Sequence, residues 1–145
     1  MGKSKILNPK SRILNLIMYT KEDRVSFKEN LKLRIYKWTV NLVKYLRILY
    51  SKDRDARAIF DQLLRSGTSV GANYVEAIGG TSDKDFRKFL TYSLKSCNES
   101  KYWLALIRDS KINSSQDLDD LLKESVELSK ILGKSVATLY KNDQK

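Results

Sequence analysis

Few residues of this sequence have the type and spacing that chemistry requires. Glu76 and Glu99 lie in two neighbouring helical patterns, and paired carboxylates can catalyse proton transfer or bind a metal ion. The sequence has no histidine and no further carboxylate cluster to complete such a site. Cys97, the single cysteine, falls on an apolar helix face, which is typical of a small buried side chain. We therefore expect no enzyme activity, no metal and no cofactor.

The positive charge of the chain is more informative. The 145 residues carry a formal net charge of +11, and residues 1–57 alone contain 15 Lys and Arg against 5 Asp and Glu. Such asymmetry is typical of proteins that bind nucleic acids or other anionic surfaces. No stretch is apolar over the length of a membrane span, and the basic start lacks the apolar core of a signal peptide. We therefore expect a cytoplasmic protein without a membrane partner.

Two sets of basic residues are the candidate nucleic-acid-binding residues. Both sets point away from the apolar faces of their predicted helices, where they can contact phosphates or simply face solvent. The candidates are Lys37, Lys44 and Arg47 in the first helix, and Lys123, Lys130, Lys134 and Lys141 in the fourth. Tyr19, Tyr36 and Tyr50 have side chains that can stack on bases, although tyrosines at helical spacing are more often packing residues.

Four segments have the periodicity of amphipathic helices, with apolar residues three and four positions apart. Ser82 and Ser114 each precede an acidic residue by three positions, which predicts two N-caps. The pair Gly79–Gly80 is predicted to end the second helix in a left-handed conformation. Short connections and the lack of a strand pattern predict an all-α fold, an antiparallel up-down-up-down four-helix bundle. The predicted helices span residues 31–50, 55–78, 82–109 and 116–140.

Residues 1–30 fit the bundle pattern less well. Within them, Arg12–Tyr19 suits a short helix, an added strand or an arm that orders on contact. The basic residues of this region favour the arm. We therefore predict a basic N-terminal arm over residues 1–30, partly ordered or in contact with other subunits, before a bundle over residues 31–142.

The second and third predicted helices are apolar or small on two neighbouring faces each. In the second helix, the expected core face runs through Ile59, Leu63, Ser66, Val70, Asn73 and Ala77, and a second stripe runs through Phe60, Leu64, Gly67, Gly71, Tyr74 and Ile78. In the third helix, the extra stripe contains Phe89, Tyr92, Ser96 and Trp103. Because large exposed apolar patches are uncommon, the second stripes predict burial against another copy of the chain.

Polar and small residues in the second helix need a physical reason. Gly67 and Gly71 each cost ~1 kcal/mol relative to alanine in a helix, which predicts close approach of a backbone or of a ring such as Trp103. Asn73 lies on the expected core face and Glu76 at its flank, so both are expected to have hydrogen-bond partners.

The segment Gln62–Ile107 resembles the four-helix-bundle family of 23S rRNA intervening-sequence proteins. The resemblance is carried by RSGTSVGANYVEA at residues 65–77, SDKDF at 82–86 and NESKYWL at 98–104. The family is similar in fold to the accessory variability determinant proteins of diversity-generating retroelements. The resemblance implies a homopentameric barrel, and it implies packing roles for the motif residues, not catalytic ones. These are Arg65, Gly67, Gly71, Asn73, Tyr74, Glu76, Glu99 and Trp103.

The retroelement accessory proteins bind nucleic acid and partner a reverse transcriptase. By this resemblance and by its charge, the chain is predicted to be an oligomeric adaptor without enzyme activity. Its predicted ligand is RNA or single-stranded DNA, held largely through phosphates, with a reverse transcriptase as protein partner. The alternative is a protein–protein scaffold whose basic surface meets an acidic partner.

Overall fold

The computed structural model describes residues 20–144, which form four α-helices joined by short turns. Helix α1 spans Lys21–Lys52, α2 spans Arg57–Gly79, α3 spans Asp83–Asp109 and α4 spans Gln116–Asn142. No strand occurs within residues 20–144, so the all-α prediction is confirmed. None of the helices in this range is long and apolar enough to cross a membrane. Residues 1–19 of the predicted arm lie outside the described residues.

The chain divides into two compact units, residues 1–31 and 32–145, and the bundle is formed by the second. Hydrogen bonds across the helices of this unit join α2 to α3 in antiparallel direction and join α1 to α4. Ser93 Oγ donates to the Val70 carbonyl at 2.8 Å, and Ser100 Oγ donates to Ser66 Oγ at 2.9 Å, which joins α2 to α3. The Trp38 indole donates to the Leu121 carbonyl at 3.0 Å, which joins α1 to α4. The predicted four-helix bundle is therefore confirmed.

Three of the four helices, α1, α3 and α4, begin with a side-chain cap, and the caps of α1 and α4 differ from prediction. Helix α1 begins at Lys21, ten residues before the predicted start, because Thr20 and Asp23 form a reciprocal capping box. Ser82 caps α3 as predicted, accepting a bond from the Asp85 amide at 3.1 Å. The cap of α4 is Ser115 and not Ser114, since the Ser115 hydroxyl accepts the bond from the Leu118 amide.

The prediction that Gly79–Gly80 ends α2 in a left-handed conformation is wrong. Gly80 has φ −67° and ψ 152°, and no glycine in the described part of the chain has a positive φ. The physical reason is the short link to the next helix, because Ser82 must also be extended to cap α3. An extended Gly80 therefore continues directly into the capping residue. The turn before α4 instead contains a left-handed residue, Lys111, with φ 60°.

The second stripe of α2 is buried inside the chain, which corrects the expectation that another copy must cover it. Tyr74 is only 2% exposed in the single chain. A β-carbon added at Gly67 would overlap Leu42 Cδ2 and lie 3.6 Å from the Trp38 ring. The ring beside this glycine is thus Trp38 of α1, and not the predicted Trp103. A bundle helix contacts two neighbours, so α2 uses one stripe against α3 and the other against α1.

The core faces of the other helices agree with the periodicity. In α1, the apolar residues of one helical face are all buried: Ile35, Trp38, Leu42, Tyr45, Leu46 and Leu49. In α3, Leu90, Ser93, Cys97, Ser100 and Leu104 form a buried face at three- and four-residue spacing, and Phe86 at its start is half-buried. The buried serines have hydrogen-bond partners, and no buried side-chain nitrogen or oxygen in the described residues lacks one. The core therefore tolerates these hydroxyls without an unpaired polar atom.

Candidate nucleic-acid interface

A groove of about 700 Å³ runs along the contact between α1 and α4. The buried Trp38 forms part of its floor through the hydrogen bond to the Leu121 carbonyl. Tyr45 also lines the groove, and its hydroxyl donates to Asn113 Oδ1 at 3.0 Å. Burial is the main cause that raises the pKa of Tyr45, and the charge of Asp117 adds to it. These bonds fix α1 against α4 and the turn that precedes it.

The charges that line this groove are balanced. Arg34 makes a two-pronged ion pair with Glu124, in which the Nη2–Oε2 distance is 2.9 Å. That hydrogen bond is the main cause that raises the pKa of Arg34. An added phosphate would meet the carboxylates as well as the cations, so Coulomb attraction is largely offset. The charged lining residues are Arg34, Lys37, Lys44 and Lys123 against Asp117, Asp120, Glu124 and Glu127.

The predicted binding residues therefore differ in whether they line this groove with its carboxylates. Lys37, Lys44 and Lys123 are exposed but share the groove with the four carboxylates. Arg47, the other α1 candidate, is exposed and does not line the groove. On α4, Lys130 bonds Glu127 at 3.0 Å, and this bond lowers the pKa of Glu127.

Lys134 and Lys141 lie in a different environment, the C-terminal half of α4. Residues 116–127 contain five Asp and Glu but one Lys, whereas residues 128–142 contain three Lys and no acid. A basic C-terminal end also suits the helix dipole. Both lysines are exposed. Of the candidates on α4, these two are best placed to attract an anion.

Sequence reasoning missed a second acid-free stretch, residues 86–98 of α3. It contains Arg87, Lys88 and Lys95 without a carboxylate, and it packs against the C-terminal half of α4. Lys88 and Lys95 are exposed. The absence of Asp and Glu between Asp85 and Glu99 is visible in the sequence. The prediction for α3 considered only its apolar faces and not its charge.

The motif residues divide into buried and exposed sets. Gly67 and Tyr74 are buried and Gly71 is half-buried, in agreement with packing roles. Trp103 is half-buried, and its indole donates to Glu99 Oε1 at 3.2 Å. Arg65, Glu76 and Glu99 are exposed, and Asn73 is half-buried. Glu76 was expected to have a hydrogen-bond partner because burial would require one, but its flank of α2 faces solvent, so that requirement does not apply.

The residues considered for chemistry were the acidic residues and Cys97. Within residues 20–144 no three His, Cys, Asp or Glu side chains come together to hold a metal ion. Cys97 is buried and reduced, and burial raises its pKa to about 11. A thiol with such a pKa is a poor nucleophile at neutral pH.

The tyrosines considered for base stacking have different surroundings. Tyr36 is 65% exposed. Tyr50 is half-buried, packs edge-on against Phe60 and donates to Asp61 at 2.5 Å, so its hydroxyl is engaged. Burial, followed by the bond to Asp61, raises the pKa of Tyr50 to about 12. Tyr19 lies outside the described residues. Of the two described tyrosines, Tyr36 has a largely solvent-exposed side chain and Tyr50 does not.

Comparison with known proteins agrees with this architecture. Residues 31–134 match the family described as 23S rRNA-intervening sequence protein. A crystal structure of a protein with unknown function from the S23 ribosomal protein family, from Bacteroides thetaiotaomicron, is 30% identical with a TM-score of 0.68. The similarity covers 73% of this chain and 97% of that one. No curated protein matches the chain. Because the family match spans most of the bundle, the chain belongs to the 23S rRNA-intervening sequence protein family.

Proposed function

We propose that this protein is a non-enzymatic, oligomeric adaptor that binds RNA or single-stranded DNA mainly through phosphates. The observation that carries the proposal is the pair of acid-free stretches on α3 and α4, residues 86–98 and 128–142, on a chain of net charge +11. Arg87 and Lys130 of these stretches are paired with Asp143 and Glu127, and the exposed Lys88, Lys95, Lys134 and Lys141 can attract phosphates without a base-specific pocket. The family description contains 23S rRNA, so RNA is the first ligand to test. A cytoplasmic location, as predicted from the sequence, fits this ligand.

The assembly that we propose is a homopentamer, by likeness to the family architecture. An exposed apolar stripe on α1 supports self-association. The second stripe of α2 no longer does, because the bundle itself buries it. Leu33 is 51% exposed and Tyr36 is 65% exposed, and Val40 and Val43 continue the same helical face. Exposed apolar faces of this kind are typical of subunit contacts. Light scattering at micromolar concentration should give a mass near five chains, and a monomer would contradict this part.

A reverse transcriptase of a diversity-generating retroelement is the protein partner that we propose. The reason is the likeness to accessory proteins of such elements, together with a basic surface that can hold a template strand. Co-expression with a reverse transcriptase encoded nearby, followed by nuclease treatment and size-exclusion chromatography, tests the contact. Loss of co-elution after nuclease would show that nucleic acid alone joined the two proteins.

The main experiment is a filter-binding titration of single-stranded RNA at several salt concentrations. Phosphate-driven binding requires log affinity to fall linearly with log salt, with a slope of about −0.7 per phosphate contact for a single strand. Absence of binding at low salt would contradict the proposed ligand. Binding that does not change with salt would contradict the phosphate mechanism.

A protein–protein scaffold is the second candidate, and the balanced groove between α1 and α4 favours it. Its floor holds Trp38 and Tyr45, and its rims carry both signs of charge. Such a surface suits a peptide or helix with charges of both signs more than a polyanion. This candidate predicts a protein partner that stays bound after nuclease treatment, together with weak RNA affinity.

A further inference from the structure

The two acid-free stretches lie side by side, and their contacts fix which residues are level with each other. A β-carbon added at Gly133 of α4 would lie 4.0 Å from Leu94 Cδ1 of α3. The next residue on each helix, Lys95 and Lys134, is therefore at the same level. Arg87, seven residues before Leu94 on α3, forms an ion pair with Asp143, ten residues after Gly133 on α4.

That ion pair sets a second level, because Lys88 follows Arg87 and Lys141 lies two residues before Asp143. Seven helical residues correspond to about 10 Å along the axis, and packed helices lie about 8–10 Å apart. Lys88, Lys95, Lys134 and Lys141 are all exposed. They thus form the four corners of a patch with two lysines on each helix. Between these levels neither stretch contains an acidic residue; of the exposed acids at the ends, Asp143 pairs with Arg87 and Glu99 accepts from the Trp103 indole.

Two exposed aromatic rings adjoin this patch. Tyr102 lies seven residues beyond Lys95 on the same stripe of α3 and is 60% exposed. It packs edge-on against Trp103 with ring centroids 4.9 Å apart, which restrains the ring while its outer face stays open. Tyr140 precedes Lys141 on α4 and is 53% exposed. Rings held at the margins of a basic patch are the arrangement that stacks unpaired bases.

We propose that the α3–α4 basic face, defined as Lys88, Lys95, Lys134, Lys141, Tyr102 and Tyr140, binds a single strand of RNA. The lysines neutralise phosphates, and the tyrosines stack on bases that a duplex would keep inside its own stack. The inference rests on the proposed function and adds to it a location and a preference for single strands. It excludes the α1–α4 groove, where four carboxylates offset four cations.

The test compares two variants that remove the same charge. The first replaces Lys88, Lys95, Lys134 and Lys141 by glutamine, and the second replaces Lys37, Lys44, Arg47 and Lys123 by glutamine. All eight residues are exposed, so both variants should fold, which circular dichroism and thermal melting would check. The probe is a 20-nucleotide oligouridine RNA, titrated at several salt concentrations.

The first variant should lose about tenfold or more in affinity, and its salt slope should flatten by about 3, that is about 0.7 for each lysine. The second variant should lose about twofold at most. Equal losses would show that net charge alone attracts RNA, which would overturn the assigned location. Absence of binding by the unmodified protein would instead remove the proposed function itself.

The tyrosines test the single-strand part of the inference. Tyr102→Ala should weaken oligouridine binding about fivefold or more, whereas Tyr102→Phe should keep most of the affinity because the ring remains. Duplex RNA of the same length should bind more weakly than the single strand and should not respond to Tyr102→Ala. Equal affinity for duplex and single strand would overturn stacking. Stronger binding of oligothymidine DNA would overturn RNA as the ligand.

A second copy of the chain is the other occupant that the test can reveal. The variant with glutamine at Lys88, Lys95, Lys134 and Lys141 is measured by light scattering without RNA. If the α3–α4 basic face were a subunit contact, its mass would differ from that of the unmodified protein. We expect the mass to stay unchanged. A changed mass would overturn the assignment of this face to RNA.

Discussion

The two halves of α4 differ in charge and in packing, although one continuous helix contains both. Residues 116–127 contain five carboxylates and face α1, where Trp38 closes the floor of the groove with a hydrogen bond. Residues 128–142 contain three lysines and no carboxylate, and they pack against α3 with room beside Gly133. The first half therefore joins α4 to α1 under a charge-balanced groove, whereas the second is the half that we propose presents charge to a ligand.

Lysines on the same face of one helix can therefore have different electrostatic environments, so their number on a helical wheel does not locate an anion site. Lys123 and Lys134 are both exposed and both lie on the polar side of α4. The electrostatic potential at each depends on the carboxylates that neighbouring helices and turns bring within about 10 Å, the screening length at moderate salt. Lys123 lines a groove that also contains four carboxylates, whereas residues 128–142, the part of α4 that contains Lys134, have none.

The largest expected effect is on stability and concerns the first half of α4. Trp38→Phe removes the indole donor to the Leu121 carbonyl and puts a smaller ring at a buried position. It should lower the free energy of unfolding by about 1–3 kcal/mol. Chemical denaturation followed by circular dichroism measures this change. RNA affinity at low denaturant should stay the same, and a loss of affinity without a loss of stability would assign the groove to the ligand.

The packing difference is tested by two glycine substitutions. In Gly67→Ala the new methyl would overlap Leu42 Cδ2 in the buried contact between α2 and α1, so we expect destabilisation by about 1–2 kcal/mol. In Gly133→Ala the methyl would lie at an ordinary 4.0 Å from Leu94 Cδ1. The better helix propensity of alanine should then stabilise the protein by up to ~1 kcal/mol. Thermal melting of both variants, with opposite shifts of Tm, checks the comparison.

Much of the fold could be predicted from the sequence because helix periodicity and caps are local properties. The buried positions from Ile35 to Leu49 and the Ser82 cap follow from such patterns. The start of α1 does not follow from the apolar pattern, because the capping box of Thr20 and Asp23 precedes an exposed stretch of the helix. The partner of the α2 stripe could not be predicted, since periodicity shows that a face is buried without showing what buries it.

The candidate site was less predictable for the same reason. Lys134 and Lys141 were identified by their place on one helix, but Lys88 and Lys95 become their neighbours only through the packing of α3 on α4. Tyr102 belonged to a motif and lay outside the stripe predicted on α3. A site formed by two helices depends on their relative level, which local sequence patterns do not contain.

A gain of binding would sharpen the comparison between the two halves of α4. Asp120→Asn with Glu127→Gln removes two of the four carboxylates from the groove and leaves its cations in place. RNA affinity at low salt should rise about twofold to fivefold, and the salt dependence should become steeper, since more phosphates can be neutralised. The same filter-binding titration measures both. An unchanged affinity would show that the carboxylates of the first half do not explain its exclusion from the site.

The smallest expected effect is on the titration of one side chain at the boundary between the halves. The bond from Lys130 lowers the pKa of Glu127 in the folded protein. A carboxylate whose pKa is lower in the folded than in the unfolded state stabilises the fold above the unfolded pKa, and this contribution is lost as pH falls through the folded value. In Lys130→Gln the pKa of Glu127 should return toward its ordinary value, which NMR titration of the side-chain carboxyl measures. Because the pair is exposed, the melting temperature at neutral pH should hardly change. A Glu127 pKa that does not move would show that Lys130 does not pair with this carboxylate in solution.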